Sequence, residues 1–371
     1  MKQMSMFTGQ CILGAIALVV GLCACSGTRS GSTLNSTSTN QARLSPAGAK
    51  PSWAPDITNN MQVVVEKLQS YGAPPIETLT PQEARKQPTP TKAVMDVMKA
   101  NDIAMPAPMV DKSDRTISVN GANLPIRVYT PKNGNTANPM IVYYHGGGWV
   151  IANLDTYDPS AQALAEKTGS VVVSVHYRQG PEHKFPTAHN DAFAAYQWVH
   201  DNAASLKGNP DRIAVAGESA GGNLACNVSI MARDKGIKMP VAQLLVYPVA
   251  NNDMNNESYT RYANAKPLNK PMMEWFAKHY LNGMQEAADP RISLVKANLQ
   301  GLPPTIVITA QIDPLHDEGK MLMQRLKDAG VTTDYEDFKG VTHEFFGMAA
   351  VLPQAAEAQR EATEFLMKRL K

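Results

Sequence analysis

One five-residue segment, Gly217-Glu218-Ser219-Ala220-Gly221, restricts the fold more tightly than any other part of the chain. It follows the apolar run Ile213 to Ala216 and opens into a helix-compatible stretch, Gly222 to Arg233. Strand, Gly-x-Ser-x-Gly and helix make a nucleophile elbow, a turn so sharp that the serine is strained and its hydroxyl stands clear of the sheet. The residues two before and two after it must be small, because a Cβ there would collide with neighbouring backbone. The pattern is short and recurs by chance, so its surroundings decide its meaning.

Those surroundings alternate. Short β-rich apolar runs occur at Met140–Tyr144, Val171–Val175, Ile213–Ala216, Gln243–Tyr247, Thr305–Thr309 and Thr332–Glu336. Helix-compatible segments lie between or after most of them, at Pro159–Lys167, Asp191–Asn202, Gly222–Arg233, Glu318–Ala329 and Gln354–Leu370. Alternating units of this kind predict an α/β protein with a mostly parallel sheet covered on both faces. Ahead of them, Thr116–Val119 and Ile126–Tyr129 alternate like a hairpin around Asn120-Gly121, and helical spacing marks 56–71 and 91–102. Between Pro248 and Pro304 the rhythm breaks for an Asn-rich turn and a helical patch, Pro271 to Leu281. The chain thus divides into a targeting segment 1–24, a tether 25–50, cap helices 51–115, and a catalytic domain 116–371 with a cap insertion at about 250–300. The last strand is a candidate sheet edge for homodimer pairing.

A serine hydroxyl needs a base to take its proton, and the base needs a third group to fix its tautomer. On this architecture the partners follow in the order serine, acid, histidine, each just past a strand. Asp313, reached through Ala310-Gln311-Ile312, and His343, reached through Lys339-Gly340-Val341-Thr342, meet that requirement. Asp317 and Glu318 compete for the acid role, but they open the next helix, where carboxylates commonly cap. His145-Gly146-Gly147-Gly148-Trp149 directly follows the strand Met140–Tyr144, where the oxyanion loop of this architecture lies. The expected oxyanion donors are the backbone amides of Gly147, Gly148 and Ala220, with His145 and Gly146 bracing the loop. A phosphate cradle is the weaker reading, because no Lys-Ser/Thr follows and the glycine spacing differs.

His145-Gly-Gly-Gly148, Tyr177-Arg178 with Pro181-Glu182 and Phe185-Pro186, Gly217-Glu-Ser-Ala-Gly-Gly-Asn223, Asp313-Pro-Leu-His-Asp-Glu318 and Gly340-Val-Thr-His343 resemble the hormone-sensitive-lipase-like carboxylesterases, bacterial esterase family IV. The resemblance runs from about Leu79 to the C-terminus. It implies an α/β-hydrolase fold with a helical cap, and hydrolysis of short- to medium-chain acyl esters without a cofactor; the histidine and carboxylate spacings themselves suggest no metal site. It also implies catalytic roles for Ser219, Asp313 and His343. An amidase or arylester-drug hydrolase of the same mechanism, a lipase, and a non-catalytic ligand-binding relative are the alternatives. Two positions depart from the family pattern: Glu218 where Asp is usual, and His316 where Arg is usual.

The N-terminus is set aside from the fold. Cys11 to Ala24 is apolar but too short to span a bilayer, and Leu22-Cys23-Ala24-Cys25 resembles a bacterial lipobox. That resemblance implies a lipid on Cys25 and a membrane anchor; Ser26 in the next position implies the outer membrane of the cell envelope. A simple secretory signal releasing a periplasmic or secreted protein is the alternative. Cys226 is then left without a disulfide partner and reads as a small core residue. A net charge of +2 without basic runs gives nucleic-acid binding no electrostatic support.

Overall fold

The computed structural model describes residues 43–134 and 136–371. The expected targeting segment 1–24, Cys25 and the tether as far as residue 42 lie outside the described residues.

Eight strands form one sheet: β1 (Val110–Val119), β2 (Ala122–Pro131), β3 (Asn138–Tyr144), β4 (Val171–Val175), β5 (Gly208–Glu218), β6 (Gln243–Val246), β7 (Thr305–Ile312) and β8 (Thr333–Thr342). Their spatial order is β1-β2-β4-β3-β5-β6-β7-β8. Only β2 runs against its neighbours, and every pair from β4 to β8 is parallel. Consecutive strands therefore reach the same end of the sheet, where their following loops gather. The inner strands read as unbroken apolar runs because both faces are covered; Val171–Val175 is buried throughout. At the opposite edge, Asn120 (φ 49°) and Gly121 (φ 71°) supply the left-handed pair that a two-residue hairpin turn demands.

The helices are α1 (Asn59–Gln69), α2 (Pro81–Ala84), α3 (Pro90–Ala100), α4 (Asp158–Thr168), α5 (Thr187–Asp201), α6 (Ala220–Asp234), α7 (Glu257–Arg261), α8 (Lys270–Tyr280), α9 (His316–Asp328) and α10 (Pro353–Met367). Apolar stripes of α5, α6 and α9 close one face of the sheet. Those of α1, α3, α4 and α10 close the other.

Three departures from the sequence expectation bear on the cap, on His343 and on the tether. β1 begins at Val110, not Thr116, so the cap segment ends before residue 110. The extra residues are nearly all exposed and carry no apolar alternation; Arg127 holds them through Asp114. β8 runs to Thr342, with no loop before His343; its first half is polar and lies on the sheet edge. Residues 44–48 are bound rather than free. Leu44 is buried, and Glu66 accepts the amides of Ala47 (2.8 Å) and Gly48 (3.1 Å), so any tether ends before Leu44.

The N-terminal segment and the insertion after β6 meet above the loop end of the sheet. Trp275 of α8 donates its indole N–H to Leu79 O at 3.1 Å. Arg85 donates to Val150 O (2.9 Å), to Gly180 O (2.7 Å) and to the Glu182 carboxylate, fastening the cap to the loops after β3 and β4. The cap methionines fall into three groups. Met61, Met98 and Met273 are buried in helix packing, Met95 and Met272 line a cavity, and Met105 and Met109 are exposed. Met61 contacts the Thr342 hydroxyl through its sulfur at 3.6 Å, just before His343. Met61→Ala is expected to cost about 2–5 kcal/mol through the void it leaves, read as a lower urea midpoint.

Candidate active site

Ser219 sits between the end of β5 and α6 with φ 56° and ψ −120°, a conformation that a side-chain-bearing residue adopts at a cost of about 1–3 kcal/mol. Its flanking glycines explain how it is held. A Cβ on Gly217 would lie 2.2 Å from Gly221 O, and one on Gly221 only 1.9 Å from Tyr144 O. The backbone locks the turn: Ser219 N–H donates to Val246 O at 2.9 Å, and Ser219 O accepts from Asn223 and Val249. Asn223 in turn accepts from His189 and donates to Val249 O and Ile292 O, tying α6 to the insertion.

Asp313 and His343 follow β7 and β8 directly, and both are buried. The His343 Nδ1–H donates to Asp313 Oδ2 at 2.6 Å, while Asp313 Oδ1 accepts Leu315 N–H at 2.9 Å. With Nδ1 protonated, Nε2 is the ring's acceptor. Burial alone would lower the His343 pKa, but the Asp313 charge and hydrogen bond, then Glu344 and Glu218, bring it above the usual histidine value. Ser219, His343, Gly147 and Gly148 all line one cavity of about 830 Å³. Among the described residues no hydrogen bond joins Ser219 Oγ to the ring. Serine–histidine contacts of this kind commonly close only when substrate binds.

The loop after β3 is shaped by its glycines. Gly147 (φ 95°) and Gly148 (φ 58°) occupy left-handed backbone, and a Cβ on Gly148 would fall 2.2 Å from the Phe276 ring of α8. No protein acceptor among the described residues takes the N–H of Gly147, Gly148 or Ala220. His145 braces this loop: Nδ1 meets Gly146 O at 2.8 Å and Nε2 meets His176 Nδ1 at 3.0 Å. A carbonyl can only accept, so Nδ1 of His145 carries the proton. Burial, then His176, pushes its pKa down to about 3, and the ring stays neutral. Tyr177 stacks on it at 4.5 Å and donates to His145 O. The cavity wall is completed by apolar cap residues, among them Leu68, Ile76, Met95, Leu268, Met272 and Phe276.

Several side chains differ from, or were absent from, the sequence reading. Asp317 and Glu318 do not cap α9. Asp317 accepts Ser258 N–H at 2.9 Å, and buried Glu318 accepts Ala250 N–H at 2.7 Å, so both tether the insertion. His316 lies between Asp317 (3.2 Å) and Asp337 (3.3 Å), occupying the position of an ion pair. The Glu218 carboxylate accepts from the hydroxyls of Tyr143 (2.5 Å) and Tyr247. Glu344, in left-handed backbone (φ 70°), accepts from Tyr157 at 2.5 Å. Its sequence signal is only its place next to His343. Cys226 is buried in the core, as expected.

A model of the α/β-hydrolase fold family matches residues 141–347. Carboxylesterase NlhH of Mycobacterium tuberculosis is 40% identical over 250 residues, 66% of this chain and 78% of that protein. Ethyl acetate hydrolase of Pseudomonas putida is 32% identical over 320 residues, 85% and 99% of the two chains. Among solved structures, a thermostable esterase from Pseudomonas putida ECU1011 superposes with TM-score 0.78 at 32% identity, covering 86% of this chain and 99% of that one. A hyperthermophilic esterase of the archaeon Pyrobaculum calidifontis gives 0.75 at 35% identity, covering 84% and 98%. The chain belongs to the α/β-hydrolase family.

Gly148→Ala is expected to lower kcat/KM roughly tenfold or more by displacing the loop amides. Adding Phe276→Ala to make room should recover part of that loss in steady-state assays of both variants.

Proposed function

We propose that the protein is a serine carboxylesterase of the hormone-sensitive-lipase-like branch, acting on short- to medium-chain acyl esters. The observation that carries this reading is the convergence on one cavity of a strained serine, an Asp313-oriented imidazole and the Gly147–Gly148 loop, whose backbone amides have no protein acceptor among the described residues. On substrate binding, His343 Nε2 takes the Ser219 proton as Oγ attacks the ester carbonyl. The amides of Gly147, Gly148 and Ala220 stabilise the oxyanion, the stronger for being pre-oriented by their loops. Collapse of the tetrahedral intermediate expels the alcohol, which takes the proton from His343. Water, deprotonated by the same imidazole, then cleaves the acyl-enzyme and returns the proton to Ser219. The apolar cap wall favours an ester with modest hydrocarbon groups, and the names of the relatives, among them an arylesterase from Saccharolobus solfataricus, support ester chemistry. A lipid on Cys25, holding the enzyme to the outer membrane, belongs to the same proposal and is tested by metabolic labelling with palmitate in wild type and Cys25→Ala.

Ser219→Ala is expected to lower p-nitrophenyl butyrate turnover on the order of 10⁶-fold, and Asp313→Asn about 10⁴-fold through the wrong tautomer. Survival of wild-type turnover in Ser219→Ala removes the assignment. Because His343 must be neutral to act as base and its pKa is raised, kcat/KM should rise with pH through a midpoint above that of free histidine. A pH–rate profile reads it directly.

A further inference from the structure

Behind His343 lies a second acidic assembly that the triad does not use. Glu218 ends β5, immediately before the nucleophile, and is 1% exposed. Its two oxygens accept from Tyr143, on neighbouring β3, and from Tyr247, just past neighbouring β6. The Tyr247 ring then packs on the His343 imidazole with centroids 4.5 Å apart. On the far side, Glu344 lines the cavity and accepts from Tyr157. The Tyr157 hydroxyl lies where a Cβ on Gly146 would stand, 2.2 Å from that point, so it also touches the oxyanion loop.

The charges around this assembly are one-sided. Asp313, Glu218 and Glu344 supply three carboxylates, and the three tyrosines supply only hydroxyl protons. No lysine or arginine pairs with any of these carboxylates among the described residues, leaving the His343 imidazolium as the counter-charge. We propose that Glu218 and Glu344 are positioning residues for the reaction: through Tyr247 and by their charge they set the basicity of His343 and keep its ring in register with Ser219. Each end of the assembly touches a different catalytic loop, so it also couples the elbow, the base loop and the oxyanion loop. Burial, then the charge of Glu344, pushes the Glu218 carboxyl up to about 7. Burial raises Glu344 as well.

The inference rests on the triad reading, and the two fail differently: Ser219→Ala tests turnover itself, whereas the acidic pair is tested by where turnover titrates. The pH dependence of kcat/KM is measured for wild type, Glu218→Gln, Glu344→Gln and Glu218→Asp, with thermal melts alongside. Removing one carboxylate should move the acid limb about one unit toward lower pH, the size of effect a charge within several ångströms has on a titrating group. Glu218→Asp keeps the charge and should leave that limb near the wild-type position even if kcat falls. Should Glu218→Gln fail to fold, Glu344→Gln decides alone, because its side chain faces the cavity. An acid limb unmoved in the folded glutamine variants, or one moved equally by Glu218→Asp, overturns the proposal.

Discussion

The site depends on a backbone approach closer than any side chain would permit. Gly221, in the first turn of α6, comes so near the carbonyl of Tyr144 that even a methyl group would be stopped. Gly217 stands in the same relation to Gly221. That contact brings the start of α6 against the end of β3, and two things follow. Ser219 is held in left-handed backbone at the rim of the sheet, and Ala220 opens α6 directly after it with an amide that no acceptor among the described residues takes. The strained serine and the free amide next to it are consequences of one packing event, not two independently built features.

The parallel sheet does the rest. β5, β7 and β8 run in the same direction, so the residues just past them share an edge although long segments separate them in sequence. Asp313 is separated from His343 by a whole helix and strand, yet a 2.6 Å hydrogen bond joins them. The cap meets this edge from two stretches of chain. Arg85 and Glu182 form a half-exposed ion pair, which by itself contributes little. The same guanidinium also satisfies the carbonyls of Val150 and Gly180, and that geometric tie sets where the cap wall stands.

Much of the site was legible in the sequence because each part announces itself locally. A small-residue pattern marks the elbow, a glycine triplet marks the loop after β3, and single residues past strand ends mark the Asp313–His343 pair. The inner strands were legible because burial on both faces makes them predominantly apolar. The edges were not: β1 and the first half of β8 carry polar residues on both faces, so no periodicity betrays them. Asp317 and Glu318 resembled helix caps because sequence shows only the helix start, whereas their acceptors are spent on loop amides some 60 residues upstream. Tyr143, Tyr157 and Tyr247 each look like core aromatics alone. Only the fold reveals that their hydroxyls converge on Glu218 and Glu344.

The burial of Cys226 has a consequence for how the folded domain meets oxidants. Burial pushes its thiol up to about 12, so almost no thiolate is available to peroxide or to disulfide exchange. Sulfur chemistry then passes to the thioethers that solvent reaches, and of Met95, Met105 and Met109 only Met95 borders the cavity. Sulfoxidation there would plant a polar, chiral group in an apolar wall, reversible by a reductase. Met95 is thus the point at which peroxide can roughen the cavity wall.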